Sequence, residues 1–373
     1  MIVLGIESSC DDTSVALVDC SDEGFFVLSE KTASQIAVHK KYGGVVPEVA
    51  GRMHAENILP VIEKVLNHKN IKTLKHKNKP FVPDAIAVTA GPGLVTGLVV
   101  GVEAAKTLSY LWDVPLVAVN HIAGHAHSVQ IGNRTSAIRS LIADSQIQYP
   151  ALSLIVSGGH TELLLMSDPT TFELIGKTRD DAAGECFDKV GKLLGFDYPG
   201  GPKISQFAAN GDPRAIQFPR PMLNEEMNFS AKGGPAFGWS FAGLKTAALY
   251  WLRDNATNKP KTYHLKPKTL KDFCASFEQA IVDVLVAKTL RAAKGYSPQT
   301  IILGGGVSAN QKLRSVLTET MHEWSPKSEV RSPKSEYAMD NGAMIAVAGY
   351  YLAKKRQFTR WPDIEVDPNW KVY

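Results

Sequence analysis

Two stretches of the sequence, about half a chain apart, share one pattern of a strand, a small polar turn and two further strands. The first comprises residues 2–7, the turn 8–12, and strands at 14–19 and 25–29. The second comprises residues 151–156, the turn 157–160, and strands at 161–166 and 172–178. The two stretches share almost no identical residues, so the pattern alone indicates a duplication. We therefore expect two similar lobes around a central cleft.

Helical patterns alternate with apolar strands in the rest of the sequence. In residues 47–68 the apolar side chains recur at three- and four-residue steps, as in an amphipathic helix. Further helices are predicted at 94–112, 182–194, 241–253, 270–295, 308–324 and about 342–356, and further strands at 85–89, 115–119 and 300–303. This alternation predicts an α/β architecture.

Composition excludes several classes of protein. Apolar residues make up 44% and charged residues 21% of the 373 positions, which is close to globular averages and unlike disordered or fibrous chains. A net charge of +4 permits a polyanionic partner without requiring one. The four cysteines are scattered and form no CxxC pair, so we expect no disulfide framework, no thiolate zinc site and a reducing compartment. The apolar strand at the very start predicts that there is no secretory signal.

Residues 85–102 carry no charge and could be mistaken for a membrane span. The turn Gly91-Pro92-Gly93 divides them into a short strand and a helix, and a spanning helix needs roughly 20 continuous apolar residues. We therefore expect no membrane association. Two Lys-rich stretches, 69–79 and 255–271, could meet phosphates or form solvated loops.

The two polar turns are candidate anion-binding sites. Backbone N–H groups and hydroxyls of the first turn can surround an anionic oxygen, and Asp11 or Asp12 could orient a nucleophile or a metal-bound water. In the second turn Gly158 and Gly159 would let a ligand approach the backbone. An ordinary polar hairpin is the alternative for each. Gly304-Gly305-Gly306, between a strand and a helix, suits a nucleotide or simply a tight turn.

His121 and His125 are four residues apart, which places both imidazoles on one face of a helix, where they can share an iron or zinc ion. The alternative is a pair of ordinary core or surface histidines. A zinc peptidase would need Glu directly after the first histidine, where Ile122 stands. His127 should point elsewhere. Asp340 alone is more typical of a helix N-cap than of a ligand.

As an ordered series, these segments closely resemble the tRNA threonylcarbamoyladenosine transferase family, the TsaD-type proteins. The resemblance covers nearly the whole chain. The matching segments are Gly5 to Asp11, Tyr42 to Glu48, Gly91 to Leu94, Asn120-His121 with Gly124-His125, Val156 to Thr161, Asp180 to Lys189, Tyr198 to Gly201, Ser240 to Thr246, Gly304 to Val307 with Asn310, and Asp340-Asn341.

This resemblance implies the actin-like, sugar kinase and Hsp70 (ASKHA) fold, with two similar lobes around a central cleft. The expected boundaries are residues 1–118 for the N-terminal lobe, completed by 341–373. Residues 119–340 then form a second lobe that carries the metal and nucleotide site at the cleft.

The resemblance also implies the site residues. The metal ligands would be His121, His125 and Asp340. The adenylate ligand would lie against Ile155, Val156, Ser157, Gly158, Gly159, Asp188, Gly201, Ser205 and Asn310. Asp11 matches an acidic catalytic residue, and Asp12 stands where many members have Glu.

The implied activity is transfer of threonylcarbamoyl from threonylcarbamoyl-adenylate to N6 of the adenosine next to the anticodon (position 37), in tRNAs that read codons beginning with A. One divalent metal ion, iron or zinc, is expected, and AMP or ATP may occupy the donor site. The expected partners are tRNA, the synthase that makes the adenylate, and a second copy of the chain in a homodimer. The expected compartment is the mitochondrion, with bacterial cytoplasm as the alternative.

Three other functions remain open at the level of sequence. They are a metal-dependent endopeptidase, an actin-fold ATPase or kinase, and a non-catalytic assembly protein.

Overall fold

The computed structural model describes residues 1–72, 81–132, 146–223, 237–256 and 262–373. Residues 73–79 and 257–261 of the two Lys-rich stretches lie outside the described residues. The chain divides into two compact units. Unit 1 comprises residues 1–147, 168–171 and 333–373, and unit 2 comprises residues 148–167 and 172–332.

The strands are β1 (Ile2–Glu7), β2 (Asp12–Ser21), β3 (Gly24–Ser34), β4 (Ala85–Gly91), β5 (Leu116–Asn120), β6 (Ile131–Gly132), β7 (Ala151–Val156), β8 (Thr161–Asp168), β9 (Thr171–Thr178), β10 (Phe237–Trp239), β11 (Thr300–Gly304) and β12 (Glu329–Arg331). The α-helices are α1 (Ile36–His39), α2 (Pro47–Leu66), α3 (Lys69–Lys72), α4 (Val95–Trp112), α5 (His121–His127), α6 (Ala183–Leu193), α7 (Gly200–Ala208), α8 (Ala242–Asn255), α9 (Pro267–Tyr296), α10 (Gln311–Trp324) and α11 (Gly342–Lys354).

Unit 1 is built on a six-stranded sheet in the order β5-β4-β1-β2-β3-β6. Successive side chains of a strand point to opposite faces, so β1 sends Val3 to one side and Leu4 to the other. Val3 packs in the cluster that contains most of α11, whereas Leu4 packs with residues of α2 and α4. Helices on both faces explain why the central strands read as continuous apolar runs.

The last helix, α11, lies directly on the backbone of this sheet. A Cβ atom added to Gly5 of β1 would lie 2.0 Å from the carbonyl oxygen of Gly342, and one added to Gly342 would lie 2.6 Å from the backbone nitrogen of Ala16. Only glycine permits such an approach. The start of α11 is therefore held at a fixed depth against β1 and β2.

Unit 2 has a six-stranded sheet in the order β10-β9-β8-β7-β11-β12. Its long helix α9 is buried along most of its length, with Phe273, Phe277, Ile281 and Leu285 inside the core. The pairing repeats that of unit 1: β1 pairs antiparallel with β2 and parallel with β4, and β7 pairs antiparallel with β8 and parallel with β11. This confirms the predicted pair of similar α/β lobes.

The unit boundaries differ from the expected ones at 118 and 340. Unit 1 continues past β5 because α5 follows it without a break and β6 pairs with β3, Ile131 opposite Phe25. The C-terminal part of unit 1 begins at Pro333, earlier than the predicted start at residue 341. His121, His125 and Asp340 thus all belong to unit 1, whereas the sequence placed them in the second lobe.

The uncharged segment 85–102 splits as expected into β4 and the first half of α4. Within the described ranges, no helix has the length and apolar character that crossing a membrane requires. All four cysteines are free thiols. The short elements β6, β10 and β12, and helix α7 with its Gly-Gly-Pro start, were not predicted, because two- and three-residue strands and glycine-rich helices leave little periodic signal.

Candidate active site

Helix α5 carries both candidate metal-binding histidines. It begins directly after β5, where Asn120 is the N-cap: its Oδ1 accepts a hydrogen bond of 2.9 Å from the backbone N–H of Ile122. The cap fixes the start of the helix and hence the face on which His121 and His125 lie. Their ring centroids are 4.6 Å apart. The third histidine, His127, instead hydrogen-bonds with Gln130 and the carbonyl of Pro169, as its position on the helix predicts.

Asp340 reaches the same point from the other end of the sequence. It precedes α11, but the N-cap of that helix is Asn341, whose Oδ1 accepts a hydrogen bond of 2.8 Å from Met344. The carboxylate of Asp340 is therefore not the cap. Its Oδ1 lies 3.2 Å from Nε2 of His125 and 3.6 Å from Nε2 of His121. The potential ligand atoms of the three residues all lie within 4.8 Å of one another.

The chemistry of these residues fits a divalent metal ion. His125 is fully buried, and among the described residues neither of its ring nitrogens makes a hydrogen bond with good geometry, the approach to Asp340 being an ion-pair contact. Nε2 faces the carboxylate of Asp340 without a well-aligned hydrogen bond, and an ion held between the two would satisfy both groups. Two imidazoles and one carboxylate form a donor set that suits iron or zinc.

The two histidines differ in charge. Burial alone would lower the pKa of His121, but the negative charges of Glu7 and Asp340 raise it to about 9. Burial and the neighbouring charge of His121 lower the pKa of His125. His125 therefore offers a neutral nitrogen at physiological pH, whereas His121 must release a proton before it can bind an ion.

The first polar turn lies beside this cluster. Ser8 Oγ donates a hydrogen bond of 3.0 Å to the carbonyl of Gly97. His54 receives one of 2.8 Å from Thr13 Oγ1 and donates one of 3.0 Å to the carbonyl of Cys10. These bonds fix the backbone that carries Asp11. Burial and then the charge of Asp340 raise the pKa of Asp11, which places this carboxyl in the electrostatic field of the candidate metal centre.

Its neighbour Asp12 is buried at the start of β2, and burial raises its pKa to about 7. Glu7, at the end of β1, is fully buried next to His121 and was not singled out from the sequence. Burial raises the pKa of Glu7, but the charge of His121 and its hydrogen bond outweigh this and lower it overall. A carboxylate that ends an apolar strand was the available sequence signal.

The second turn, in unit 2, leaves its glycines open. In the part of the chain that the structure describes, no atom lies within 4 Å of a Cβ added to Gly158 or Gly159, so a ligand can reach the backbone there. Ser157 closes the turn: its N–H donates to the carbonyl of His160, and its Oγ accepts from the N–H of His160. Ile155 and Val156 are fully buried, main chain included, so the surface that a ligand can reach begins at Ser157.

Two further groups of predicted residues each form a contact set in unit 2. Asp188 Oδ1 accepts hydrogen bonds of 2.8 Å from the N–H of Gly200 and 3.3 Å from that of Gly201, at the start of α7. Asn310 caps α10 through Leu313 and donates from Nδ2 to Ser205 Oγ at 2.9 Å.

Glu278 joins Ser205 and Asn310, and sequence reasoning missed it. Its Oε1 accepts hydrogen bonds of 2.6 Å from Ser205 Oγ and 2.7 Å from Asn310 Nδ2. Glu278 is only 7% exposed. A carboxylate directly after Phe277 on an otherwise apolar face of α9 was the signal that could have found it, because such groups are rarely buried without a purpose.

Comparison with known proteins identifies the family. Residues 26–347 match the model of the family described as TsaD, tRNA N6-adenosine threonylcarbamoyltransferase. A protein of that name from Thermotoga neapolitana is 43% identical over 373 residues, 100% of both chains. Another, from Listeria monocytogenes, is 44% identical over 348 residues, 93% of this chain and 90% of its own.

A solved structure, full-length HypF in its phosphate- and nucleotide-bound form, aligns with a TM-score of 0.56 at 13% identity. The alignment covers 95% of this chain, which spans 55% of the HypF chain. At this identity the likeness concerns the fold alone, and it agrees with the predicted actin-like, sugar kinase-type fold. From the family match and the full-length relatives, the chain belongs to the TsaD family of tRNA N6-adenosine threonylcarbamoyltransferases.

Proposed function

We propose that this chain is an acyltransferase that moves threonylcarbamoyl from threonylcarbamoyl-adenylate to N6 of the adenosine next to the anticodon, in tRNAs that read codons beginning with A. The names and full-length coverage of its relatives support this activity. The structural observation that carries the proposal is the convergence of His121, His125 and Asp340 within 4.8 Å, beside the turn that holds Asp11.

The adenylate would bind to unit 2. The open backbone at Gly158 and Gly159 can receive the phosphate, because small residues allow close approach and main-chain N–H groups favour an anion. The network of Ser205, Asn310 and Glu278 offers hydroxyl, amide and carboxylate groups to the nucleoside. AMP or ATP would compete for the same groups.

His121, His125 and Asp340 would hold one divalent ion, iron or zinc. When bound, such an ion supplies a Lewis acid that polarises a carbonyl and a template that orients the donor. The neutral imidazole of His125 and the carboxylate of Asp340 are ready to bind it without losing a proton.

In the reaction the N6 lone pair of the adenosine forms a bond to the carbamoyl carbon. The bond from that carbon to the phosphate oxygen of the adenylate breaks, and AMP leaves with the bonding electrons. The amine proton would pass to the carboxylate of Asp11, whose raised pKa makes it a better base than an ordinary aspartate. Backbone N–H groups of the second turn would stabilise the charge that develops on AMP.

The direct test supplies the whole chain with a threonylcarbamoyl-adenylate synthase, threonine, bicarbonate, ATP and tRNA, followed by mass spectrometry of the digested nucleosides. The modified adenosine should appear only when all components are present. No product in the complete mixture, with a bacterial relative active in parallel, would contradict the proposal.

The other functions predict different results. An endopeptidase would cleave protein substrates in a chelator-sensitive way, and Ile122 in place of a catalytic Glu argues against it. An ATPase or kinase would turn over ATP without synthase or tRNA. An assembly protein would keep its biological function without His121 and His125. The relatives' names favour none of the three.

We further propose that tRNA and the adenylate synthase are partners and that the chain forms a homodimer, which light scattering at micromolar concentration would test. The matched relatives come from bacteria. Their origin supports the bacterial cytoplasm over the mitochondrion as the compartment, and the mitochondrial prediction gains no support.

A further inference from the structure

Glu7 has no exposed surface, and its carboxylate has hydrogen-bonding partners from three parts of unit 1. Oε2 lies 2.9 Å from Nδ1 of His121 and accepts a hydrogen bond of 2.7 Å from Thr89 Oγ1. Oε1 accepts one of 2.5 Å from the backbone N–H of Ser9. A buried carboxylate is tolerated only with such partners, so its placement is determined by all of them together.

These partners meet because of the order of the strands. Strands β5, β4 and β1 are neighbours in the sheet and run parallel, so their carboxyl ends lie at one edge. Glu7 ends β1, Thr89 lies near the end of β4, and His121 follows β5. The edge where α/β sheets generally bind ligands is the edge where this carboxylate meets the imidazole.

The contact with Glu7 decides which nitrogen of His121 is available. Nδ1 lies 2.9 Å from the carboxylate of Glu7 and 3.1 Å from Ser9 Oγ. The carboxylate can only accept a hydrogen bond, so the proton belongs on Nδ1. Nε2 is left facing Asp340 Oδ1 at 3.6 Å. A hydrogen bond from one ring nitrogen to a carboxylate fixes the tautomer and orientation of an imidazole and makes the other nitrogen a stronger donor to a metal.

We propose that Glu7 is a positioning residue for the metal centre: by holding the proton on Nδ1 of His121, it presents Nε2 to the ion. The inference rests on the proposed metal site and adds a residue that does not itself touch the ion. It also explains why a charged group is kept in the core at the end of an apolar strand.

The test measures Zn²⁺ affinity of the full chain by competition with a chromophoric chelator. Glu7→Gln keeps the size of the side chain and removes its charge, and we expect zinc to bind about 10–100-fold more weakly. Thr89→Val is the matched control, since it removes a hydrogen bond from the same Oε2 without touching His121. If Glu7 only supported the local backbone, the two variants would lose affinity equally, and that result would overturn the proposal.

Asp340→Asn separates this inference from the metal site itself. If Asp340→Asn loses zinc while Glu7→Gln binds within twofold of the unchanged protein, the metal site stands and the role of Glu7 is rejected. If Asp340→Asn and His125→Ala both bind zinc normally, the metal site is rejected and the inference falls with it.

A spectroscopic measurement covers the case in which Glu7→Gln does not fold. In the zinc-loaded protein with ¹⁵N-labelled histidine, the ring of His121 should carry its proton on Nδ1 and the metal on Nε2. Zinc on Nδ1 would overturn the proposal, whatever the variants do.

Discussion

Nε2 of His125 lies 3.2 Å from Oδ1 of Asp340, although one residue belongs to α5 and the other precedes α11. The first prediction follows from this pair. His125→Ala should lose metal binding and reduce tRNA modification at least a hundredfold, because it removes a proposed ligand that needs no proton release. Metal content and nucleoside mass spectrometry measure the two effects, and circular dichroism should show an intact fold. Full activity of the metal-stripped variant would contradict the role of the ion.

The second prediction concerns Glu278. Glu278→Gln should weaken AMP binding roughly tenfold, since hydrogen bonds to a charged group contribute about 1.5–3 kcal/mol. Calorimetric titration measures the affinity. Glu323→Gln, at an exposed position of α10, is the matched control and should bind AMP normally. Equal affinity in both variants would exclude Glu278 from the nucleotide site.

The third prediction separates the proposed base from the metal ligands. Asp11→Asn should lower the rate of modification strongly while zinc content stays unchanged, because in the proposed mechanism the carboxylate accepts the proton of the amine but does not hold the ion. A single-turnover assay with preformed adenylate gives the rate. Loss of zinc in Asp11→Asn would instead assign this residue to the metal centre.

The fourth prediction tests the contact between α11 and the first sheet. Gly5→Ala should destabilise the protein by at least about 1–3 kcal/mol, as expected for overpacking, because the new Cβ would lie 2.0 Å from the carbonyl oxygen of Gly342. Gly295→Ala is the control: none of the described residues comes within 4 Å of its added Cβ, and alanine favours a helix. In thermal unfolding, the melting temperature should therefore fall in Gly5→Ala and rise in Gly295→Ala.

The fifth prediction is a pH dependence. Burial raises the pKa of Glu30 from 4.5 to about 7, against the opposing effect of a hydrogen bond from the N–H of Ala343. Between these values the folded state binds more protons than the unfolded one, so the contribution of Glu30 to stability is full below pH 4.5 and is lost as pH rises to about 7. The loss is about 3 kcal/mol at most. Glu30→Gln should remove this dependence, as measured by denaturant unfolding at pH 5 and pH 8.

Local patterns predicted most of the elements. Strand β7 matches its predicted bounds, and α2 begins at Pro47 as expected and ends at Leu66, two residues early. The spacing of His121 and His125 was enough to place them on one helix face, because that geometry is local. Only the family resemblance predicted that Asp340 joins these two histidines. Its sequence position alone predicted that Asp340 is a helix N-cap, and in the structure the N-cap is Asn341.

What the sequence did not reveal depends on distant contacts. Glu278 of α9 contacts Ser205 of α7 and Asn310 at the start of α10. These residues are far apart in sequence, so no spacing rule predicts the contact. The same applies to Thr89 beside Glu7. The boundary near residue 118 was misplaced relative to the structure because β6 is only two residues long, and its pairing with β3 holds the following segment in unit 1.

The glycine contact between α11 and β1 also means that the first sheet can be completed only late in synthesis, after α11 has been translated. A nascent chain that has emerged only as far as α10 already contains both imidazoles, yet it lacks the carboxylate of Asp340 and the helix that seats it against Gly5. One apolar face of the first sheet stays bare until that point. With the proposed metal site, only polypeptides whose translation has passed α11 would hold the ion, and truncated products would expose this apolar face.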